Sequence, residues 1–331
     1  MNKTKKTNWY IEKTISKIQE RVLASMKKYG SDWVKTWSTN LPRNHANKPY
    51  TGTNSLYLSF LEFKHKAYMT KKNAEKLGIA ITDTYKNSIP IVFNSYRPEK
   101  LTNEEKKNKK KPRSFKISRV YSVYNISQTN CEIVKNELFK KLIAVANFKH
   151  SKNAETLCNN IVKLLTHMDV KHEVRDNSND AFFRPIDDLI VLPQLNQFKN
   201  YKEFIATLFH ELTHWSMVKS RLDREKYYRE TMKLEGKPAY AVEELVAELS
   251  SATLCGLFGI EKTPSPEHAK YLNNWMKSIE EDADYLMKAC SLSNKAVQYI
   301  LKLMNGFHAI PEQVQVYVKT LKYWEEKSKV A

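Results

Sequence analysis

Five residues, His210-Glu-Leu-Thr-His214, constrain this chain more than anything else in it. They sit inside Phe204-Ile-Ala-Thr-Leu-Phe-His-Glu-Leu-Thr-His-Trp-Ser-Met-Val218, which has no Pro or Gly and carries apolar residues at helical spacing. Residues four apart on a helix share a face, so the two histidines of this H-E-x-x-H motif can bind one metal ion. Glu211 then stands beside them as a general base for water. A catalytic zinc site needs three protein ligands and one open position. The third is sought in Tyr240-Ala-Val-Glu-Glu-Leu-Val-Ala-Glu-Leu249, a second apolar helix. Carboxylates among core residues are costly to bury without a cation or hydrogen-bond partner. Glu244 is assigned as third ligand and Glu248 as acceptor for a ligand histidine's N–H, with Glu243 as fallback ligand. This set describes a gluzincin-type zinc metallopeptidase with one Zn2+ per chain, or another divalent first-row metal in its place. Tyr240, Tyr228 and Arg221 are available to stabilise an oxyanion, and spacing does not choose among them.

The rest of the chain is divided by charge. Of 331 residues, 55 are Lys or Arg and 36 are Asp or Glu, a net of +19. Residues 1–130 hold 27 basic and 9 acidic side chains (27 − 9 = +18), and residues 131–331 hold 28 and 27 (28 − 27 = +1). A positive field confined to one segment points to a polyanion as its partner, whereas a Lys-rich coding bias would raise both halves. The same segment is rich in aromatic rings, which suit the exposed faces of single-stranded bases better than duplex. Tyr57, Phe60 and Phe63 lie in an apolar run and read as core. The contact candidates are Trp33, Lys35 and Trp37, then Arg43, Asn44, Lys48, Tyr50 and Asn54 in a polar, turn-prone stretch, with Arg119 on a later strand.

Periodicity predicts a basic amphipathic helix over 8–29, helix or strand over 55–63, and a helix over 70–77 stopped by Gly78. Strands are expected at 89–93 and 117–124, with a mobile Lys-rich arm at 97–116 between them. Helices at 135–168 and a strand at 188–192 follow, then helices at 201–219, 238–257, 266–289, 293–304 and after Pro311. The fold class is α+β: a small mixed nucleic-acid-binding domain (1–135), then a helix-rich zincin-like metallopeptidase domain (136–331). The four cysteines form no C-x-x-C pair, which argues against a disulfide framework or a cysteine-built zinc site. No apolar run reaches the roughly 18–20 residues of a membrane span, and the basic start lacks a secretory apolar core. A cytoplasmic protein without a membrane partner is expected.

These pieces in this order resemble the ArdC-type antirestriction proteins of plasmids and other mobile elements. The first-half match is Trp33-x-x-x-Trp37, Pro42-x-Asn44, Lys48-x-Tyr50-x-Gly52-x-Asn54 and Val120-Tyr-Ser-Val-Tyr-Asn-Ile-Ser-Gln-Thr129. The second-half match is Phe183-x-Pro185-x-Asp187, His210–Trp215 with Ser220-Arg-Leu222, Glu243-Glu-Leu-Val-Ala-Glu248, Tyr271-x-x-x-Trp275 and Ala296–Leu301. Residues 80–90 and 97–116 depart from the family pattern. The resemblance implies a single-stranded-DNA-binding domain similar to those of conjugative plasmid primases, joined to a zincin-like metallopeptidase domain. It further implies protection of incoming plasmid or mobile-element DNA from host restriction during conjugation. A host restriction-system protein or other protein substrate is a candidate partner, and the resemblance leaves open whether peptide hydrolysis serves that role. Two other readings compete. One is a DNA-binding primase-accessory protein whose zinc is structural, and the other is a metalloprotease effector that recognises an acidic protein partner.

Overall fold

The computed structural model describes residues 3–34, 41–82, 87–99, 114–143, 154–176, 180–262 and 266–311, with Thr102, Glu104, Val314, Gln315 and Val318. The chain opens on helix α1 (Lys3–Tyr29), which buries Ile18, Val22 and Met26 on one face. A tight turn at Gly30–Val34 inserts Trp33 into the core. Strand β1 (Arg43–Asn44) and helix α2 (Gly52–Ser59) follow, then strand β2 (Ala67–Met69) and helix α3 (Lys71–Lys76). Thr70 caps α3 by accepting from the Asn73 N–H, and Gly78 leaves it at a φ of +69°, as the sequence indicates.

Strands β3 (Ile89–Pro98) and β4 (Ser114–Asn125) form a long antiparallel hairpin, completing a sheet of order β1-β2-β4-β3. Pairing continues to Pro98↔Ser114, so both ends of the expected mobile arm are strand. Alternation and ladder pairing extend them beyond the apolar stretches from which 89–93 and 117–124 are read. Most of the arm's lysines lie outside the described residues.

A single turn at Cys131–Val134 leads into helix α4 (Asn136–Ile143). Phe139 and Leu142 of α4 pack with Ala67, Met69, Ala74, Ile79 and Ile126, so this helix belongs by packing with the first half, beyond the expected boundary at 135. Helix α5 (Ala154–His167) is followed by a small sheet of β5 (Lys171–Arg175), β6 (Phe182–Arg184) and β7 (Leu189–Pro193) in the order β5-β7-β6. Helix α6 (Tyr201–Trp215) comes next, and Asn200 caps it by accepting from the Glu203 N–H. After a turn at Arg224–Tyr227 and a π-turn at Tyr228–Met232 come α7 (Gly236–Leu257), α8 (Pro266–Glu281) and α9 (Ala283–Leu303). The expected helices at 266–289 and 293–304 are thus divided elsewhere. Asp282 breaks the run by capping α9 on the Asp284 N–H, and nothing interrupts the chain near 290. The helix expected after Pro311 lies largely outside the described residues.

The two halves share one hydrophobic core. Helix α1 packs on α8 and α9, and α2 packs on α9. Ile18, Val22, Met26, Trp33, Leu56 and Leu58 join a cluster with Trp275, Ile279, Cys290 and Leu292. Polar links cross the same seam: Lys27 pairs with Glu280 at 2.8 Å, and the Gln19 amide donates to the Ile279 carbonyl. Gly52 opens α2 at a left-handed φ of +57°, with the Cys290 carbonyl close by. Among the described residues no helix is long and apolar enough to cross a membrane.

Candidate metal centre and nucleic-acid surface

Helix α6 supplies His210, Glu211 and His214, and α7, packed against it, supplies Glu243, Glu244 and Glu248. The histidine Nε2 atoms approach to 3.0 Å. Glu244 spans them, with Oε2 at 3.4 Å from His210 Nε2 and Oε1 at 3.3 Å from His214 Nε2. One donor atom from each of the three lies within 4.8 Å of the others, the convergence a cation requires. The far sides of both rings face carboxylates. His214 Nδ1 is 3.1 Å from Glu243 Oε1, and His210 Nδ1 is 3.6 Å from Glu248 Oε2. At His214 a proton held on Nδ1 by Glu243 leaves the Nε2 lone pair aimed at the centre, which is the tautomer a metal takes. The donor set of two imidazoles and one carboxylate therefore fits a divalent first-row metal.

Each supporting carboxylate has its own buried cation. Arg224, only 1% exposed, donates to both oxygens of Glu243, to Ser216 Oγ and to the Thr213 carbonyl, tying Glu243 to the end of α6. Tyr228 donates to Glu243 as well. Lys262 lies 2.7 Å from Glu248 Oε2, and both side chains are buried. Burial opposes the charged form of Glu243, but Arg224 outweighs it and holds the carboxyl down at about 2. Burial also opposes ionisation of Glu244, yet its bonds to the two histidines keep it well below the usual carboxylate range. Burial would lower His214, but the bonds to Glu243 and Glu244 prevail and carry it up to about 10. His210 is raised in the same way by Glu244 and Glu248 against the pull of burial.

The centre lies in a cleft of about 930 Å³. Glu211 lines it beside both histidines, and Phe182, Phe183 and Phe198 form an aromatic rim. Of the three oxyanion-donor candidates, Tyr240 is on the cleft wall, is half exposed and bonds Glu244; burial and then the Glu244 charge raise its phenol. Tyr228 is committed to Glu243. Arg221 is turned elsewhere: it pairs with Asp188 and lies 3.7 Å from the Trp215 ring centroid. Glu243, the fallback ligand, lies on the far side of the His214 ring, against Nδ1. Spacing alone gives no sign of Arg224 or Lys262, because both come from turns between helices. The one available signal is the need of three core carboxylates for counter-cations.

The expected nucleic-acid contacts fare differently. Trp33 is a core residue, 2% exposed, with its ring 6.2 Å from Phe60. Tyr50 packs edge-on against Tyr68, and burial pushes its phenol up to about 12. The Asn44 side chain closes its own turn by accepting from the Ala46 and Lys48 N–H groups. Asn54 bonds both the N–H and the carbonyl of Val92, at 3.1 and 2.6 Å. Arg43 is partly buried, with burial lowering its pKa, and reaches the Asn47 carbonyl. Trp33 and Tyr50 are thus engaged in packing, Asn44 and Arg43 bond within their own loop, and Asn54 ties the first turn of α2 to β3. Lys48 and Arg119 are exposed, and Lys35 and Trp37 lie outside the described residues.

Comparison with known proteins agrees with this architecture. Residues 12–124 match the family of the N-terminal domain of anti-restriction factor ArdC, and residues 160–292 match the zincin-like metallopeptidase family. A DNA primase TraC of Escherichia coli is 26% identical over 306 residues, covering 86% of this chain and 26% of that protein. The chain thus spans about a quarter of that relative's length. The metal-free crystal structure of the antirestriction ArdC protein from plasmid R388 superposes with a TM-score of 0.65 at 20% identity, covering 86% of this chain and 96% of the other. Its Mn(II)-bound form gives 0.64 at 21% identity, covering 89% and 99%. By its two domains, their order and their fold, the chain is of the ArdC type, an ArdC N-terminal domain joined to a zincin-like metallopeptidase domain.

Proposed function

We propose that this chain is an antirestriction protein that binds single-stranded DNA through its basic first half and hydrolyses peptide bonds in its second, protecting incoming mobile-element DNA from host restriction. The observation that carries the catalytic part is the convergence of His210, His214 and Glu244 in an open cleft with Glu211 beside them. A site built only to hold the fold closes its fourth position, whereas this one faces a cavity that accommodates several residues of a peptide. Zinc, which suits the donor set, would polarise the scissile carbonyl and acidify a water there. Glu211 takes the proton from that water and delivers it to the leaving nitrogen. Tyr240, on the cleft wall, is the donor we assign to the developing oxyanion. The phenylalanines at the rim exclude water and receive side chains of the substrate. Arg224 keeps Glu243 ionised and Lys262 holds Glu248 in place, so the carboxylates behind both histidines keep one position throughout.

The test is Glu211→Gln, which preserves shape and ligands and removes the base. The variant is expected to keep its metal, measured by mass spectrometry, and to lose cleavage of a fluorogenic peptide library by about 10²–10⁴-fold. Protection in a restriction assay should fall with it. Unchanged protection would detach the peptidase from the antirestriction role and favour the second reading, a DNA-binding accessory with a structural metal. The likeness to a protein named DNA primase supports that alternative.

A further inference from the structure

The described residues leave ten large hydrophobic side chains exposed, and they differ between the halves. Within residues 1–130 all are aromatic: Trp9, Tyr10, Tyr29, Phe93 and Tyr121. In the remainder they are Ile133, Val134, Val174, Ile186 and Tyr240, so the sole ring is on the cleft wall. Exposed aromatic surface gathered on the half that carries +18 requires an explanation, since rings are the side chains that gain most from burial.

Two of these rings share one face of the β3–β4 hairpin. Ile89 pairs with Val123, Ile91 with Tyr121 and Phe93 with Arg119, and paired or alternate residues of a ladder point the same way. At the base of the hairpin this face is core: Ile89, Ile91 and Val123 are each at most 7% exposed. Further along it emerges from the protein, with Phe93 52% and Tyr121 41% exposed and Arg119 exposed beside them. The Phe93 and Tyr121 rings are 6.0 Å apart and inclined at 78°. The strands then run on toward a connection in which residues 97–116 hold nine Lys or Arg against three Glu. Helix α1, which packs against both strands, carries a second exposed pair: Trp9 and Tyr10 lie 5.0 Å apart, with Lys13 4.7 Å from the Trp9 ring centroid.

We propose that the outer face of this hairpin, Phe93 and Tyr121 with Arg119, is the stacking platform for bases of a single strand. This rests on the single-strand reading above and moves its contact surface from the 33–54 loop to the hairpin. A ring presented to solvent next to a guanidinium provides base stacking and phosphate attraction together, the combination that single-strand binding uses without sequence preference. A duplex hides its base faces and gains only the charge. An apolar protein partner would find cations around the rings, whereas a polyanion is complementary to them.

The experiment uses the full chain, with Phe93→Ala, Tyr121→Ala and the double variant, titrated with labelled oligothymidylate of about 20 nucleotides and with a duplex of equal length. Both side chains are half exposed, so folding is expected to survive, which thermal melting checks. Phe93→Tyr and Tyr121→Phe, which keep the rings, serve as rescue variants. Each alanine is expected to weaken single-strand binding about tenfold, with duplex binding unchanged and the ring-keeping variants equal to wild type. Photocrosslinking of iodouracil-substituted oligonucleotide to wild type is expected in peptides containing Phe93 or Tyr121. If wild type binds the single strand, the alanine variants match it and the crosslinks map elsewhere, the platform is refuted and the single-strand reading stands. If wild type does not bind the single strand, that reading fails and the platform with it.

Discussion

The candidate metal centre and the basic half use polar and apolar groups in opposite ways. In the centre, charged side chains are brought inside and set against partners of opposite charge: Arg224 with Glu243, Lys262 with Glu248, and both histidines with Glu244. In the basic half, Asn44 and Arg43 are spent on their own loop, Asn54 on joining α2 to β3, and several aromatic rings are left outside. A buried polar site is recognised by its completeness, and a surface site by what remains unspent after the fold has taken its share.

The sharpest way to break this comparison is to remove the ligands. The double variant His210→Ala/His214→Ala is expected to lose stoichiometric metal altogether by elemental mass spectrometry, while oligonucleotide binding stays at the wild-type value. Next in size is Arg224→Met, which strands Glu243 in the interior and should cost about 3–5 kcal/mol in denaturant unfolding. Asn54→Ala removes two bonds that dock the first turn of α2 on β3, with an expected loss of about 1–3 kcal/mol and the Val92 N–H left in need of a partner.

A subtler effect is expected with pH in protein stripped by a chelator. There His214 titrates near 10 when folded, against an ordinary 6.5. A raised folded pKa gives stability that is complete below about 6.5 and lost as pH climbs toward 10. The melting-temperature advantage of wild type over His214→Gln should therefore shrink across that interval, and an advantage that grew with pH would contradict the assigned network. The smallest change is expected for Lys27→Met, whose partner Glu280 is exposed: about 0–1 kcal/mol.

What the sequence makes legible follows from how local the governing physics is. His210, Glu211 and His214 lie within one helical turn and a residue, so their spacing alone places them on one face. Glu244 is legible because a carboxylate in an apolar helix needs a reason to be there. Arg224 and Lys262 answer a demand the sequence exposes but come from turns whose placement depends on tertiary packing. The two-residue β1 and three-residue β2 are too short to show alternation. The division at Asp282 is hidden because Asp is tolerated inside helices, and only the bond to the Asp284 N–H reveals a cap. The part played by Asn44 is hidden for a similar reason: a polar loop looks the same in sequence whether its side chains face outward or close its own turns.

The seam between the halves has a consequence for the protein's history as well as its handling. With Ile18, Val22 and Met26 of the first helix sealed against Trp275 and Ile279 near the other end of the chain, the domains are not beads on a string. Neither half can be traded for that of a relative without re-tailoring the surface where they meet. Mutations on α1 and α8 are expected to be inherited as matched pairs, and heat should dismantle both domains in a single step.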